Sequence, residues 1–477
     1  MPQFPVLSLL ESSGGGPLYQ RLYTALVQQI RAGGIPADSR LPGKRTLAAE
    51  LGLSVNTVDT AYQMLAAEGY VESRPRSGFV VSQLGPQPLV PPPGLPAAPP
   101  APPPAPVWAY DLRTGNVDTR LFPFRTWGRI QKELLYSSPQ LLNHGSPQGD
   151  ENLRAALCRY LAAYRGVQCT PAQVVVGAGL EYLLGLLAPL LGGSCAVEDP
   201  GYGPTRHVLE NSGLPCRSVA VDKYGLSAQA LQESGANLCY ITPSHQFPTG
   251  VTMSAPRRAA LLDWAAQSPE RYILEDDFDA AFRFDQRPLP SLQGMAGAAG
   301  PVVYLSTVSR DLAPSIRMAY MVLPLGLLAR WQARYGGYAN TVSRFEQQTF
   351  CRFLEDGCFT RHLARTRNTG RHRRDALTAA LLQTFGKANI RLSGLHTGLH
   401  LLLTLPDGPE EADMVRLAAE AGIRLTGLSA YYHTCPGRCP AHTVVLGYGT
   451  LDVSQAAGLA SLLKKAWSQS MVSSENS

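Results

Sequence analysis

Between Pro86 and Pro106, 12 of 21 residues are proline. Proline fixes φ and lacks the backbone N–H, so neither a helix nor a central strand can cross such a run. The run therefore splits the 477-residue chain into two parts, each of which must build its own core. An extended polyproline II spacer is expected over residues 84–107, reaching ~65 Å at full stretch. A Pro-rich ligand for an SH3-like module is the competing reading. The position of the run between two globular patterns favours the spacer. Hydrophobic residues make up 45% of the chain and charged residues 16%, which supports a large core and excludes a disordered or fibrous chain. A net charge of +6 excludes a polybasic coat but leaves room for a local basic patch. Nine scattered cysteines are too sparse for a disulfide scaffold and read as reduced thiols. No signal peptide is evident, and the most apolar run, 183–191, is too short to span a bilayer. A cytoplasmic protein without membrane contact is expected.

Residues 16–83 read as one small domain. After Pro17, Leu18, Leu22, Leu26 and Ile30 recur at helical spacing, and Gly33-Gly34 closes the run. Leu47, Ala48 and Leu51 mark a short second helix ended by Gly52. Ser54 is the expected N-cap of a third helix ended by Gly69. Strand-like pieces at 70–73 and 78–81 follow. This order is that of a winged helix-turn-helix. Ser54, Asn56 and Thr57 would then begin the recognition helix, Arg40, Lys44 and Arg45 would flank the second helix, and Arg74 and Arg76 would sit on the wing. Residues 1–85 hold seven Lys/Arg against six Asp/Glu, so tight operator binding would need clustered cations and two heads in one dimer. A protein-interaction module is the alternative.

Residues 108–470 alternate strand and helix patterns. Strands are expected at 173–176, 194–198, 238–242, 272–275 and 302–305, which argues for a largely parallel α/β sheet. Residues 343–385 read as one long Arg-rich helix, a solvated face rather than a second DNA contact. Segments 398–405, 423–425 and 443–447 suggest a smaller C-terminal α/β subdomain. His433, Cys435, Cys439 and His442 lie close in sequence, but their spacing fits no standard zinc finger, and no metal is expected.

The string LPGKRTLAAELGLSVNTVDTAYQMLAAEGYV resembles the GntR-type winged-helix family, with Val55 where an Arg is frequent. LNHGSPQGDENLRAAL, VEDPGYGPTRHVLENSGL, ITPSHQFPTGVTMS, YILEDDFDAAF and VVYLSTVSRDLAPSIRMAYMVLP resemble a fold-type I aminotransferase dependent on pyridoxal phosphate (PLP). The two together are similar to the MocR/GabR subfamily of regulators. This resemblance implies a homodimer that binds an operator on double-stranded DNA. It also implies an effector that is PLP, an amine or an amino acid.

A phosphate needs helix-start amides, hydroxyls and a cation. Gly177, Ala178 and Gly179 would supply the amides, and Thr307, Ser309 and Arg317 the rest. The resemblance assigns Asp276 to the pyridine nitrogen and Tyr202 to stacking on the ring. At the family's lysine position stands Arg310, within Thr307-Val308-Ser309-Arg310-Asp311-Leu312, and no lysine occurs between Lys223 and Lys387. A guanidinium stays protonated and does not form the imine of PLP chemistry. The family tyrosines near the ring are Phe278 and His144 here. The expectation is a regulator without transaminase activity and with no catalytic residue, any PLP being held non-covalently through these contacts, Arg310 and Phe278 included. The alternatives are an active PLP-dependent aminotransferase, a bifunctional PLP-binding protein, or a pocket turned to another effector or to dimerisation alone.

Overall fold

A computed structural model describes residues 16–75, 77–84, 106–285, 290–434 and 436–474. The chain divides into two compact units, Met1–Pro104 and Ala105–Ser477. The expected spacer, save for its ends, lies outside the described residues, as does Arg76.

The first unit contains α1 (Leu18–Arg31), α2 (Lys44–Leu51), α3 (Val55–Ala67), β1 (Val71–Arg74) and β2 (Gly78–Val81). Leu22, Leu26 and Ile30 of α1 are buried, whereas Leu18 at its start is exposed. Gly52 ends α2 in the left-handed region at φ 66°, a conformation that favours glycine. The Ser54 hydroxyl accepts the Thr57 N–H at 3.0 Å and so caps α3. β1 and β2 pair antiparallel from Val71–Val81 to Arg74–Gly78, forming the wing. Val58, Ala61, Tyr62 and Leu65 of α3 are fully buried against α1 and the wing.

The second unit is built on an eight-stranded sheet. Its strands are β4 (Val174–Gly177), β5 (Cys195–Asp199), β6 (Cys216–Asp222), β7 (Gly225–Leu226), β8 (Leu238–Ile241), β9 (Tyr272–Asp276), β10 (Val302–Thr307) and β11 (Ala319–Val322). They lie in the order β4-β11-β10-β9-β8-β5-β6-β7, after a two-residue β3 (Tyr110–Asp111) elsewhere. The centre is parallel, while β11 runs antiparallel to both neighbours. Successive side chains feed cores on opposite faces: Val174 and Val176 pack on one side, Val175 on the other. That double burial explains the unbroken Val/Ile/Leu runs.

The predicted long helix over 343–385 is two helices. α6 (Arg344–Glu355) ends before Gly357, whose φ of 65° breaks the run, and α7 (Cys358–Phe385) follows. Two earlier helices matter below, α4 (Glu151–Arg165) and α5 (Leu180–Leu191). The solvated Arg face of α7 is only partly so. Arg373 pairs with Asp118, and Arg374 with Asp285, both guanidiniums being buried.

A four-stranded antiparallel sheet forms the smaller part, in the order β12 (Arg391–Ser393), β13 (His400–Thr404), β16 (Thr443–Gly447), β15 (Thr426–Gly427). The expected strand at 423–425 belongs elsewhere. As β14 (Ile423–Arg424) it pairs parallel with β3. Two residues are too few for the sequence pattern to name a partner.

Because the head has its own core, damage there should stay there. Leu65→Ala removes a fully buried side chain at a cost of about 2–5 kcal/mol. The expected outcome is lost DNA binding with an unchanged melting transition of the larger unit, checked by gel shift and calorimetry on the full chain.

Candidate functional site

At the strand ends of the large sheet lies a cavity of about 240 Å³. It is lined by seven of the ten residues expected for the cofactor: Tyr202, Asp276, Phe278, Thr307, Ser309, Arg310 and Arg317. Gly177, Ala178 and Gly179 are not among the lining residues. The Ala178 amide donates to Thr341 Oγ1 at 3.0 Å and the Gly179 amide to the Gly177 carbonyl at 2.8 Å. The free amides of a helix start belong to its first turn. Here that turn is Leu180 and Glu181, which do line the cavity. The triplet makes the turn, and its Ala178 and Gly179 amides are already engaged within the protein. At Gly179, φ is 99° and a side chain would meet the Arg317 guanidinium, so glycine allows that approach.

Asp276 ends β9 and is 4% exposed. One of its oxygens accepts the Tyr240 hydroxyl, while Oδ1 has no partner among the described residues. Burial pushes its carboxyl up to about 7, opposed by the Tyr240 bond. Its neighbours are buried too, so Glu275-Asp276-Asp277 is no solvated loop. Tyr202 is half-exposed and meets Phe247 edge-on at 5.6 Å. Phe278 stacks on His245 at 5.7 Å. The Thr307 hydroxyl donates to Ser309 Oγ at 2.9 Å. Arg317 forms an exposed ion pair with Glu181 at 2.8 Å, a contact weak enough to exchange for a ligand.

Arg310 points inward. Its Nε lies 3.2 Å from Asp279 Oδ1 and its Nη2 3.3 Å from Oδ2, and Nη1 donates to the Thr114 carbonyl. Burial raises Asp279, but the Arg310 charge, the His245 hydrogen bond and the fields of His245 and His400 together outweigh it and hold the carboxyl at about 2. Next to Asp279 sit His245 and His400, both buried. His400 Nε2 bonds the Pro248 carbonyl at 2.9 Å, and burial keeps its ring neutral down to about pH 3. A side chain at Gly398 would land on the His245 ring. Sequence reasoning missed Asp279, His245 and His400. The spare Asp after Phe278 was the available signal, but only the fold brings the histidines to it.

A group with a phosphate, a protonatable pyridine nitrogen and a planar ring fits these residues. The unpartnered oxygen of Asp276 suits the nitrogen, the Tyr202 and Phe247 rings flank the space, and Arg317, Thr307 and Ser309 gather cation and hydroxyls.

In the head, several expected base or phosphate contacts are already engaged. The hydroxyls of Ser54 and Thr57 bond each other at 2.8 Å and serve the cap. Lys44 pairs with Asp59 and lies over the Phe79 ring. Arg74 pairs with Glu72 at 3.0 Å, and Arg40 sits beside the wing strand at Val80. Arg45 and Asn56 are exposed at the starts of α2 and α3. Of the His/Cys-rich stretch, Cys435 lies outside the described residues, and His442 Nδ1 bonds the Pro409 carbonyl at 2.8 Å. Among the described residues, no helix is long and apolar enough to cross a membrane.

Residues 18–81 match the family model for bacterial regulatory proteins of the gntR family. The chain is 34% identical to the uncharacterized HTH-type transcriptional regulator YhdI of Bacillus subtilis, covering 97% of this chain and 98% of that one. It is 31% identical to the probable rhizopine catabolism regulatory protein MocR of Rhizobium meliloti, over 93% and 92%. It is also 31% identical to the HTH-type pyridoxine biosynthesis transcriptional regulator PdxR of Corynebacterium glutamicum, over 90% and 92%. Among solved structures, the kynurenine aminotransferase of Pyrococcus horikoshii superposes with a TM-score of 0.64 at 23% identity, covering 75% of this chain and 90% of that one, which establishes the shared fold. A GntR winged helix joined to a fold-type I body, with full-length relatives above 30% identity, places the chain in the MocR/GabR subfamily of GntR-type transcriptional regulators.

Proposed function

We propose that this regulator acts as a cytoplasmic homodimer whose body holds PLP, or an adduct of PLP with an amine or amino acid, without a covalent bond to the protein. The observation that carries the proposal is the pairing of an unpartnered buried oxygen on Asp276 with Arg310 at the lysine position. PLP would offer the pocket a phosphate, an aromatic ring and a pyridine nitrogen. Asp276 would hold the protonated nitrogen, Tyr202 would cover the ring, and Thr307, Ser309, Arg317 and the first amides of α5 would take the phosphate. Arg310 is committed to Asp279 and offers no nucleophile. With that nitrogen absent, the pocket serves recognition rather than transamination. For binding to alter transcription, the ligand must prefer one arrangement of the dimer over another; tight binding alone shifts nothing.

In the head, Asn56 is the residue for base contact and Arg45 for phosphate, with Arg40, Lys44, Arg74 and, by its place in the sequence, Arg76 as further phosphate contacts. Ser54 and Thr57 act through the cap that orients Asn56.

Asn56→Ala should relax discrimination at one base position by about 1–3 kcal/mol. Arg45→Ala should weaken binding to all sequences alike and lower the salt slope by about one unit. Gel shifts on the upstream DNA at two salt concentrations separate the two effects. Treatment with PLP and borohydride should leave residue 310 unmodified by mass spectrometry, whereas Arg310→Lys should gain a PLP-labelled peptide there. A labelled lysine elsewhere in the wild-type pocket would overturn the non-covalent reading.

Asp276 also predicts a pH dependence. The native carboxyl keeps its proton up to about pH 7, whereas the unfolded one loses it near the ordinary carboxylate value. The folded state therefore binds more protons in that window, and stability falls as pH rises through it. Asp276→Asn removes this contribution. The margin by which the variant's melting temperature exceeds that of the wild type should grow by about 2 °C or more between pH 5 and pH 8, in ligand-free protein.

A further inference from the structure

A second cavity, of about 150 Å³, lies on the other side of the strand end that carries Asp276. It is enclosed by the last turns of α4, the first turns of α7 and the residues following β9, and none of its lining residues lines the first cavity. Its charges do not balance. Three guanidiniums line it: Arg165, Arg283 and Arg367. Of the two carboxyls that line it, Asp277 is spent on Arg165, which holds both its oxygens at 2.6 and 3.0 Å. The other, Asp311, is pushed up to about 8 by burial and by the charge of Asp279, so it is protonated at neutral pH. The Asp277 charge also reaches Arg283, but burial and the fields of Arg165 and Arg258 outweigh it.

Arg283 is 5% exposed. Its Nη2 donates to Thr252 Oγ1 at 3.2 Å, and its Nε and Nη1 have no partner among the described residues. The nearby Arg258 is bonded to three backbone carbonyls and adds to the positive field. Gln286, Arg287, Pro288 and Leu289, which lie outside the described residues, include no acid that could serve as counter-charge. An uncompensated buried charge costs several kcal/mol, so a guanidinium in this position calls for an anion. Protonated Asp311 adds a further donor to the wall.

We propose that this cavity is a binding site for a small organic carboxylate, seated on Arg283, separate from the PLP-type pocket. A cavity of this volume holds about six non-hydrogen atoms, the size of benzene. Lactate and acetate fit that limit. The guanidinium fork matches a carboxylate in two-pronged geometry, which chloride cannot use.

The test is calorimetric titration of the full-length protein with sodium lactate, sodium acetate, neutral acetamide and sodium chloride. Lactate and acetate should bind, and acetamide should not. Arg283→Met should weaken lactate at least tenfold, while Tyr202→Ala, in the other pocket, should leave it within twofold. Ligand-free Arg283→Met should melt no lower than the wild type, because it loses an unpaired charge. Ala364→Phe, which fills the cavity from α7, is the second variant should Arg283→Met aggregate, and it too should abolish lactate binding. Equal binding of acetamide or chloride, binding unchanged in Arg283→Met or Ala364→Phe, or loss in Tyr202→Ala would each overturn the proposal. None of these outcomes depends on whether PLP binds.

Discussion

The larger unit is organised around four carboxyls at the end of β9, all buried, each with a different neutralising partner. Glu275 accepts the amides of Leu292 and Gln293 at 2.8 and 2.9 Å, tying the strand to the helix that follows. Asp277 is held by Arg165 from α4 and by the Tyr304 hydroxyl. Asp279 is held by Arg310. Asp276 alone keeps an oxygen unpartnered, and it is the one in the main cavity. Burying four acids within five residues is tolerable only because each finds a donor in the protein, Asp276 through the Tyr240 hydroxyl on one oxygen. The free oxygen of Asp276 is where the proposed ligand would complete the set. The alternation of side chains along a strand puts Asp276 and its neighbours on opposite faces, which is why two separate cavities flank one strand end.

Arg310 belongs to this arrangement and not only to the history of the pocket. A lysine would present one point charge on a flexible stem. A guanidinium presents a planar fork that can hold both oxygens of Asp279 and still reach the Thr114 carbonyl. The charge that would otherwise face a ligand is thus turned inward, and the pocket floor is locked. No lysine lies between Lys223 and Lys387, so the segment that carries this lock holds no primary amine.

Much of this was legible from the residues alone. Ser54 and Gly52 announce their helix boundaries because an N-cap and a left-handed C-cap have strict chemical requirements. The central strands are legible because burial on both faces demands continuous apolar runs. Other features depend on contacts that no local pattern records. Gly357 sits inside an otherwise helical stretch, and only its left-handed φ reveals the break. Lys44 and Arg74 look like free cations in sequence, yet Asp59 and Glu72 claim them. The triplet Gly177-Ala178-Gly179 has the pattern of a cradle of donors, but the Thr341 hydroxyl, 163 residues away, takes one of its amides. Asp279, His245 and His400 come from three separate segments, so their meeting is a property of the fold.

The adjacency of Asp276 and Asp277 has a physical consequence for regulation. Each lines a different cavity, and one peptide bond joins them. Packed interiors are dense and transmit small displacements rather than absorbing them. A ligand that draws Asp276 toward a pyridine nitrogen acts on the same strand end that Arg165 grips through Asp277. Coupling between the two cavities would then run through a single rigid element, and linkage requires it to be reciprocal: whatever occupancy of one does to affinity at the other, the reverse must do equally. The output of a ligand-responsive regulator depends on differences in binding free energy, and the strand end of β9 is where two such differences could be added.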